Sequence, residues 1–429
     1  MKIVFAGLWH LGTVMSAVFA AAGHDVVAYD DPTVIDELQA GRLPVNEPGL
    51  AELVDEQIAV GRLRYTADPN DLSACELVWI TDDTPVRDDG SADAESVIER
   101  IARLLPSLQD GALVCVSSQL PVGSVAALER RAAETVPGKR LRFASSPENL
   151  RLGKAISYMR DADRYVIGIR DVDDERLLRA AFAPLSTRIE SMSVESAEMT
   201  KHALNAFLAT SVAFVNELAA LCERTGADAR DVERGLKSDV RIGRAAYLRA
   251  GGPFAGGTLA RDVAFIIDLE SRAGLEPIFF RGVRDANAFH ATWLQRRFVE
   301  TLGEPAGRTI AILGLTYKPG TDTLRASTSV AFARWFAERG GTVRAFDPAV
   351  STLPADLREV ITLAPTAVAA MTGADAAYVG TEWPEFRDLV RSDFAVLARP
   401  HVFDPNGFLS AQAEHLEIAY LAVGRESNA

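Results

Sequence analysis

The sequence predicts an α/β protein in which two doubly wound domains flank a helical centre. Three observations predict it: strands and amphipathic helices alternate over the first 170 residues, one unbroken helical pattern occupies the middle, and a second alternating region begins near Arg308. In the first region Lys2–Ala6, Asp25–Tyr29, Glu76–Thr81, Ala112–Ser117, Leu141–Ala144 and Tyr165–Ile169 read as strands, with helical patterns such as Leu11–Ala22 and Ala94–Leu105 between them. Alternation of this kind favours a parallel sheet covered on both faces. From Val194 to Glu223 apolar residues recur every three or four positions without Gly or Pro. That predicts one helix of roughly 45 Å at about 1.5 Å per residue. It is longer than one domain needs, which points to a domain connector and part of a subunit interface; an ordinary long core helix gives the same pattern. In the last region Thr309–Gly314, Thr342–Phe346, Ala376–Thr381 and His401–Phe403 read as strands and Thr328–Arg339 as a helix. Residues 240–262 are rich in Gly and Arg and weak in periodicity, the texture of a functional loop.

Size and composition agree with this division. A chain of 429 residues exceeds one ordinary hydrophobic core, and the expected divisions are 1–193, 194–300 and 301–429. Hydrophobic residues make up 48% of it, as in a globular protein. Apolar runs such as Val14–Ala22 are too short to span a bilayer, so no membrane partner is expected. The N-terminus runs straight into a strand rather than a secretory leader. Cys75, Cys115 and Cys222 lie far apart in apolar contexts, which suits buried free thiols in a reducing cytoplasm. The six histidines have no ligand spacing, so no metal is expected, and a net charge of −14 argues against nucleic acid.

Gly7-Leu8-Trp9-His10-Leu11-Gly12 lies where a dinucleotide-binding turn belongs, between the first strand and the first helix. Its outer glycines suit a tight turn and close helix-to-strand packing. Trp9 replaces the middle glycine, the position that normally lets backbone approach the pyrophosphate. Asp30 ends the second strand, where a carboxylate accepts hydrogen bonds from the adenosine ribose and repels a 2′-phosphate. NAD is therefore the expected cofactor, held by Gly7, Trp9, His10, Leu11, Gly12 and Asp30. Thr84, before Pro85, lies at the same sheet edge.

Several further segments, in order, resemble the UDP-glucose/GDP-mannose dehydrogenase family along nearly the whole chain. They are Pro44–Leu50; Ser146-Pro147-Glu148-Asn149-Leu150-Arg151-Leu152-Gly153 with Asp163-Arg164; Glu198, Lys201, Asn205, Asn216 and Glu217 on the long helix; Gly314–Pro319 with Thr321, Asp322 and Arg325; and Thr381-Glu382-Trp383 with Phe386. The resemblance implies two Rossmann-like domains joined by the long helix and a helical dimerisation region, a homodimer, and a nucleotide-sugar substrate. It also implies two successive NAD-dependent oxidations at C6, giving a uronate. The second oxidation needs a thiol that adds to the aldehyde and carries the acyl group as a thioester.

Within that pattern Gly251–Asp262 matches the thiol loop, and Thr258 stands where the cysteine belongs. Gln119, which the resemblance places beside the cofactor, replaces a threonine, and Leu152 replaces a glutamate near the sugar. Lys201, Asp262 and Asn205 keep the positions that serve the first oxidation; Glu148, whose role in the family lies in the thioester chemistry, is also kept and is expected to bond a sugar hydroxyl instead. Alone, Lys201 also reads as a solvated helix lysine. The resemblance implies substrate contacts from Glu148, Leu150, Leu152, Lys201, Asn205, Arg241, Phe254, Gly256, Gly257, Thr258, Lys318 and Arg325. Arg241 would reach across a dimer interface, and Lys318 and Arg325 would meet the diphosphate; surface salt bridges are the plain alternative for each. The expectation is one two-electron oxidation to a 6-keto or 6-aldehydo sugar, with a GDP-octose of antibiotic biosynthesis fitting a C6 that bears further carbons. Two alternatives stay open: a four-electron UDP-glucose 6-dehydrogenase working without the cysteine, and a catalytically silent relative that only binds nucleotide sugar.

Overall fold

The computed structural model describes residues 1–85, 93–148, 150–254, 258–325 and 327–425. The chain divides into two compact units, Met1–Leu204 and Asn205–Ala429.

In the first unit eight strands form one sheet: β1 (Lys2–Ala6), β2 (Asp25–Tyr29), β3 (Leu63–Thr66), β4 (Leu77–Ile80), β5 (Leu113–Val116), β6 (Arg142–Ser145), β7 (Tyr165–Ile169) and β8 (Ile189–Ser193). Their order is β3-β2-β1-β4-β5-β6-β7-β8. Neighbours run parallel except β6 and β7, which meet through a single antiparallel pair. Strands buried on both faces read as near-continuous apolar runs, and β4 and β5 are wholly buried. One face packs an aromatic cluster: Phe5 stacks on Trp79 at 5.7 Å, and Phe19 and Phe182 meet the same indole edge-on at 5.2 Å. The indole N–H donates to Ser117 Oγ at 2.8 Å, so burying Trp79 leaves no polar atom stranded.

The second unit repeats the plan with β9 (Thr309–Leu313), β10 (Thr342–Phe346), β11 (Ile361–Leu363), β12 (Ala376–Val379), β13 (His401–Phe403) and β14 (Ala419–Leu421). All neighbours are parallel, in the order β11-β10-β9-β12-β13-β14. In both sheets the chain starts in the middle, winds outward to one edge, then returns and winds to the other. Carboxyl-end loops diverge at that switch point, where open α/β sheets bind ligands.

The helix Val194–Thr225 is 32 residues long, and the division between the units falls within it. Phe207, Phe214 and Leu221 lie seven residues apart, two turns of helix, and are 67%, 48% and 59% exposed. By length and composition alone this helix meets the criterion for a membrane span, which the short apolar runs of the sequence do not. Half of its most apolar window is buried in protein, as in core helices that meet the same criterion.

Candidate active site

The cofactor end is built on β1 and the helix His10–Ala21. Gly7 has φ +96°, and a Cβ there would come within 2.5 Å of the Asp82 backbone nitrogen. A Cβ on Gly12 would come within 1.9 Å of the Gly7 carbonyl oxygen. Both outer glycines are therefore sterically required. Trp9 is the N-cap with φ −79°, a conformation any residue adopts. Its indole is half exposed, so the middle position accepts a side chain without backbone strain. Leu11 is half buried beside it.

Asp30, buried at the end of β2, accepts from the Leu8 N–H at 2.5 Å and the Asp31 N–H at 2.7 Å. Thr84 Oγ1 donates to the Gln119 carbonyl at 2.8 Å, joining the loops that follow β4 and β5. His10 Nε2 lies 3.1 Å from Glu47 Oε2. Glu47, which sequence reading did not single out, is buried and accepts from the N–H groups of Gly153 (2.8 Å) and Ala155 (2.7 Å). One carboxylate thus ties the dinucleotide turn to the segment that carries Leu150 and Leu152. Leu150 packs on the core, whereas Leu152 is 45% exposed. These residues fit a dinucleotide: a turn cleared of side chains at Gly7 and Gly12, a helix N-terminus behind it, and a carboxylate at the ribose position.

In the same unit Lys201 Nζ donates to the Glu148 carbonyl oxygen at 2.8 Å. Gln119, Glu148, Glu198 and Lys201 line a small cavity of about 20 Å³, enough for one water molecule. Glu198 turns away from acid–base work. It accepts from the N–H groups of Gly123 (2.7 Å) and Val125 (2.9 Å), at the start of the helix Ser124–Thr135. Burial raises its pKa while those two donors lower it.

In the second unit Asn205 Nδ2 donates to Asp262 Oδ2, and Asp262 is wholly buried in the first turn of the helix Leu259–Arg272. Thr258 is the N-cap of that helix, exposed, and its side chain does not cap it. The loop before it is pinned by side chains from three directions. Gly251 N–H donates to Asn216 Oδ1 (3.0 Å), Gly252 N–H to Asn406 Oδ1 (2.8 Å), and Asn287 bonds both the N–H and the carbonyl of Phe254 (2.9 and 3.0 Å). Phe254 packs on Ala209, Ala213, Val263 and Val283. Gly256 and Gly257 lie outside the described residues.

Lys318 is half buried and Arg325 exposed, both in the segment after β9. Arg241 is exposed and forks onto Asp239 through Nε (3.0 Å) and a terminal nitrogen (2.7 Å). A cavity of about 870 Å³ in this unit gathers Arg230, Arg234, Lys237, Arg244 and Arg249 around a single acid, Glu233. Sequence reading flagged the Arg-rich segment 240–262 that holds Arg244 and Arg249, and passed over Arg230, Arg234 and Lys237. The signal was there: positions 230, 234 and 237 fall on one face of the helix Ala229–Ser238. Among the described residues no three His, Cys, Asp or Glu side chains gather as a metal site.

Comparison with known proteins matches three consecutive segments to one family. Residues 1–186 match the "UDP-glucose/GDP-mannose dehydrogenase family, NAD binding domain", 195–289 its "central domain", and 311–411 its "UDP binding domain". The chain belongs to the UDP-glucose/GDP-mannose dehydrogenase family. The UDP-glucose 6-dehydrogenase of Pseudomonas aeruginosa is 34% identical over 99% of this chain and 98% of its own. YwqF of Bacillus subtilis, a UDP-glucose 6-dehydrogenase, is 31% identical over 100% and 98%. The solved UDP-glucose dehydrogenase of Pyrobaculum islandicum superposes with a TM-score of 0.87 at 31% identity, over 99% and 98%.

This member of the dehydrogenase family is thus an NAD-dependent enzyme acting on nucleotide sugars. The Cβ clearances at Gly7 and Gly12 and the buried Asp30 give its NAD-binding segment a physical basis. The basic cavity lies where segments of its central and UDP-binding domains meet, Arg230 to Ala250 from the first and Pro405 to Ser410 from the second.

Proposed function

We propose that this dehydrogenase oxidises C6 of a UDP- or GDP-linked sugar once, giving a 6-keto or 6-aldehydo sugar and one NADH. Thr258 carries the proposal. The position that the family resemblance assigns to a thiol holds a hydroxyl, which ionises far above neutral pH and is a poor nucleophile without a base. The groups for the first oxidation are kept. Bound NAD would accept the hydride from C6. Lys201, oriented by the Glu148 carbonyl, takes up the hydroxyl proton. Asn205 holds Asp262, which the family resemblance pairs with Lys201, and the Glu148 carboxylate would bond a sugar hydroxyl. C6 loses a hydride, the two-electron change that bound NAD would take up, and the hydroxyl proton leaves through Lys201.

A C6 that bears a further carbon chain makes this chemistry complete, since oxidation then ends at a ketone. A GDP-octose of antibiotic biosynthesis is a substrate of that kind, and the exposed Leu152 suits a larger sugar. For the anionic end we assign Lys318, Arg325 and Arg241, with the five cations of the basic cavity as additional phosphate ligands. The domains proposed are 1–193 for NAD, 194–300 for dimerisation and the substrate loop, and 301–429 for the nucleotide sugar. The exposed seam Phe207, Phe214 and Leu221 supports a homodimer through the long helix. Three buried free cysteines support a reducing, cytoplasmic setting.

The names of the relatives favour a second reading, a four-electron UDP-glucose 6-dehydrogenase in which water hydrates the aldehyde. Counting NADH per sugar consumed, over a panel of UDP- and GDP-sugars, decides. One equivalent supports the proposal, two establish the second reading, and none with any sugar that binds marks a silent relative.

A further inference from the structure

Beside the ribose carboxylate stands an arginine that the cofactor fingerprint does not require. Arg100, on the helix Ala94–Leu104, reaches the carboxyl edge of the first sheet and meets three acids there. A terminal nitrogen donates to Asp30 Oδ1, the other lies 3.0 Å from Asp31 Oδ2, and Nε lies 2.7 Å from Asp82 Oδ1. Asp30 and Asp82 are both more than nine-tenths buried. Asp82 follows β4 and presses on the Gly7 α-carbon, where a Cβ would come within 2.7 Å of its carboxyl carbon. Its second oxygen, Oδ2, is buried without a hydrogen-bond partner among the described residues.

We propose that Arg100 and Asp82 are positioning and specificity-determining residues of the NAD site: Arg100 fixes the Asp30 carboxylate toward the adenosine ribose, and Asp82 with Asp31 neutralises Arg100 toward phosphate. The proposal rests on the reading that Asp30 faces the ribose.

An arginine at this edge ordinarily welcomes the 2′-phosphate of NADP. Here its fork is spent. Both terminal nitrogens and Nε point at carboxylates, so one positive charge faces up to three negative ones. A phosphate dianion entering would meet net negative charge and no free donor pair. A ribose diol needs only an acceptor held still. Asp30 is held by two backbone N–H groups and a guanidinium, so little rotamer freedom remains to be lost on binding.

Asp82 adds a pH signature. Burial, with Asp30 and Asp31 across the cluster, outweighs the pull of Arg100 and pushes its carboxyl up to about 7. Below that pH it is neutral. Above it, a negative charge appears beside the turn that receives the pyrophosphate. NAD affinity therefore falls as pH rises through about 7, and a side chain that cannot ionise abolishes the fall.

The test is equilibrium binding of NAD and NADP by calorimetry, without sugar, on the full chain. Arg100→Gln removes the fork. Because it strands two buried acids, Arg100→Gln/Asp82→Asn is measured beside it. Both should bind NAD about 10- to 100-fold more weakly, the range for losing a hydrogen bond to a charged group, with KM for NAD raised and kcat at saturating NAD retained. Asp30→Ser/Asp82→Asn releases Arg100, and its NADP affinity should equal or exceed its NAD affinity. Asp82→Asn alone should bind NAD equally at pH 6 and pH 8. Asp30→Ser alone checks the underlying reading: if it leaves the NAD to NADP ratio unmoved, Asp30 does not face the ribose. If Asp30→Ser shifts the ratio but the Arg100→Gln/Asp82→Asn variant binds NAD within twofold of the unmutated protein, the role given to Arg100 is wrong.

Discussion

Thr258→Cys asks whether the site lacks only its nucleophile. The substitution is structurally mild, because Thr258 is exposed at the N-cap and its hydroxyl makes no capping bond to lose. A free thiol ionises near pH 8.5, so roughly a quarter would be thiolate at pH 8. A helix N-terminus stabilises a negative charge by about 0.3–1 kcal/mol, which lowers that pKa by up to about 0.7 units and brings the thiolate to roughly 60%. Asp262 in the same first turn works against this gain. Either limit leaves ample nucleophile, and what decides the outcome is the carbonyl that it meets. An aldehyde captured as a thiohemiacetal keeps a hydrogen on C6 and yields a second NADH. A ketone captured the same way has no hydrogen to give. The assay is NADH formed per sugar consumed at pH 8, on the substrate that turns over best, with intact-protein mass spectrometry to detect a thioester. The expected result is one equivalent from both proteins and no thioester. Two equivalents from the unmutated protein would refute the reasoning outright. One from the unmutated protein and two from the variant would keep the single oxidation but assign a primary alcohol.

Lys201→Ala should lower turnover by about 10²- to 10⁴-fold, the range for losing general acid–base help, while the sugar Kd moves little; near-normal turnover in a steady-state assay would place the proton acceptor elsewhere. Phe207→Glu/Phe214→Glu should convert a dimer to a monomer in sedimentation velocity, because it charges two exposed positions of one apolar seam. His24 and His290 are buried and held neutral, their pKa values lowered by burial. A histidine whose folded pKa lies below its unfolded value near 6.5 takes up a proton on unfolding. Stability should therefore be full above about pH 6.5 and fall below it, by up to about 1.4 kcal/mol per pH unit for each. His290→Gln should flatten that acid limb in thermal melts, and an unchanged slope would remove His290 as its cause.

Most of the sheet framework was legible in the sequence, and the exceptions share one cause. The ten expected strands all form, within a residue or two at their ends. The four not foreseen, β3, β8, β11 and β14, are the four edges of the two sheets. Central strands are buried on both faces and read as apolar runs, but β8 has no fully buried position, and β11 and β14 have three residues each. At the candidate site, residues in local motifs, such as Gly7, Gly12, Asp30, Lys201 and Asp262, could be singled out from the sequence. Glu47, Arg100 and Asn406 could not. Each acts at least in part on groups far along the chain, Glu47 on Gly153, Arg100 on Asp30 and Asn406 on Gly252, and nothing in its own neighbourhood announces the partner. Ala255–Gly257 lie outside the described residues, so two substrate positions have no geometry to judge.

The two sheets carry the same local lock, and the differences between the copies explain their different ligands. Gly7 N–H donates to the Tyr29 carbonyl, as Gly314 N–H does to that of Phe346. Leu8 N–H meets Asp30 Oδ2 at 2.5 Å, and Leu315 N–H meets Asp347 Oδ2 at 2.7 Å. A Cβ on Gly7 would strike the Asp82 nitrogen, and one on Gly314 the Thr381 nitrogen, each within 2.6 Å. In the second copy, however, the carboxylate is used up. Asp347 also accepts from the Thr316 N–H and hydroxyl (3.0 and 3.1 Å), the Trp383 indole (3.2 Å) and the Ala349 N–H (2.9 Å). A ribose diol arriving there would have to break bonds that the protein already makes, with an indole in its way. In the first copy the corresponding position holds a charged residue, Asp82, facing Arg100 instead of a threonine beneath a tryptophan. The same fold thus supports a dinucleotide in one unit and, on the function proposed above, leaves the other to bind through cations such as Lys318. What separates the two is the set of partners around one aspartate, a difference no motif of either turn reveals.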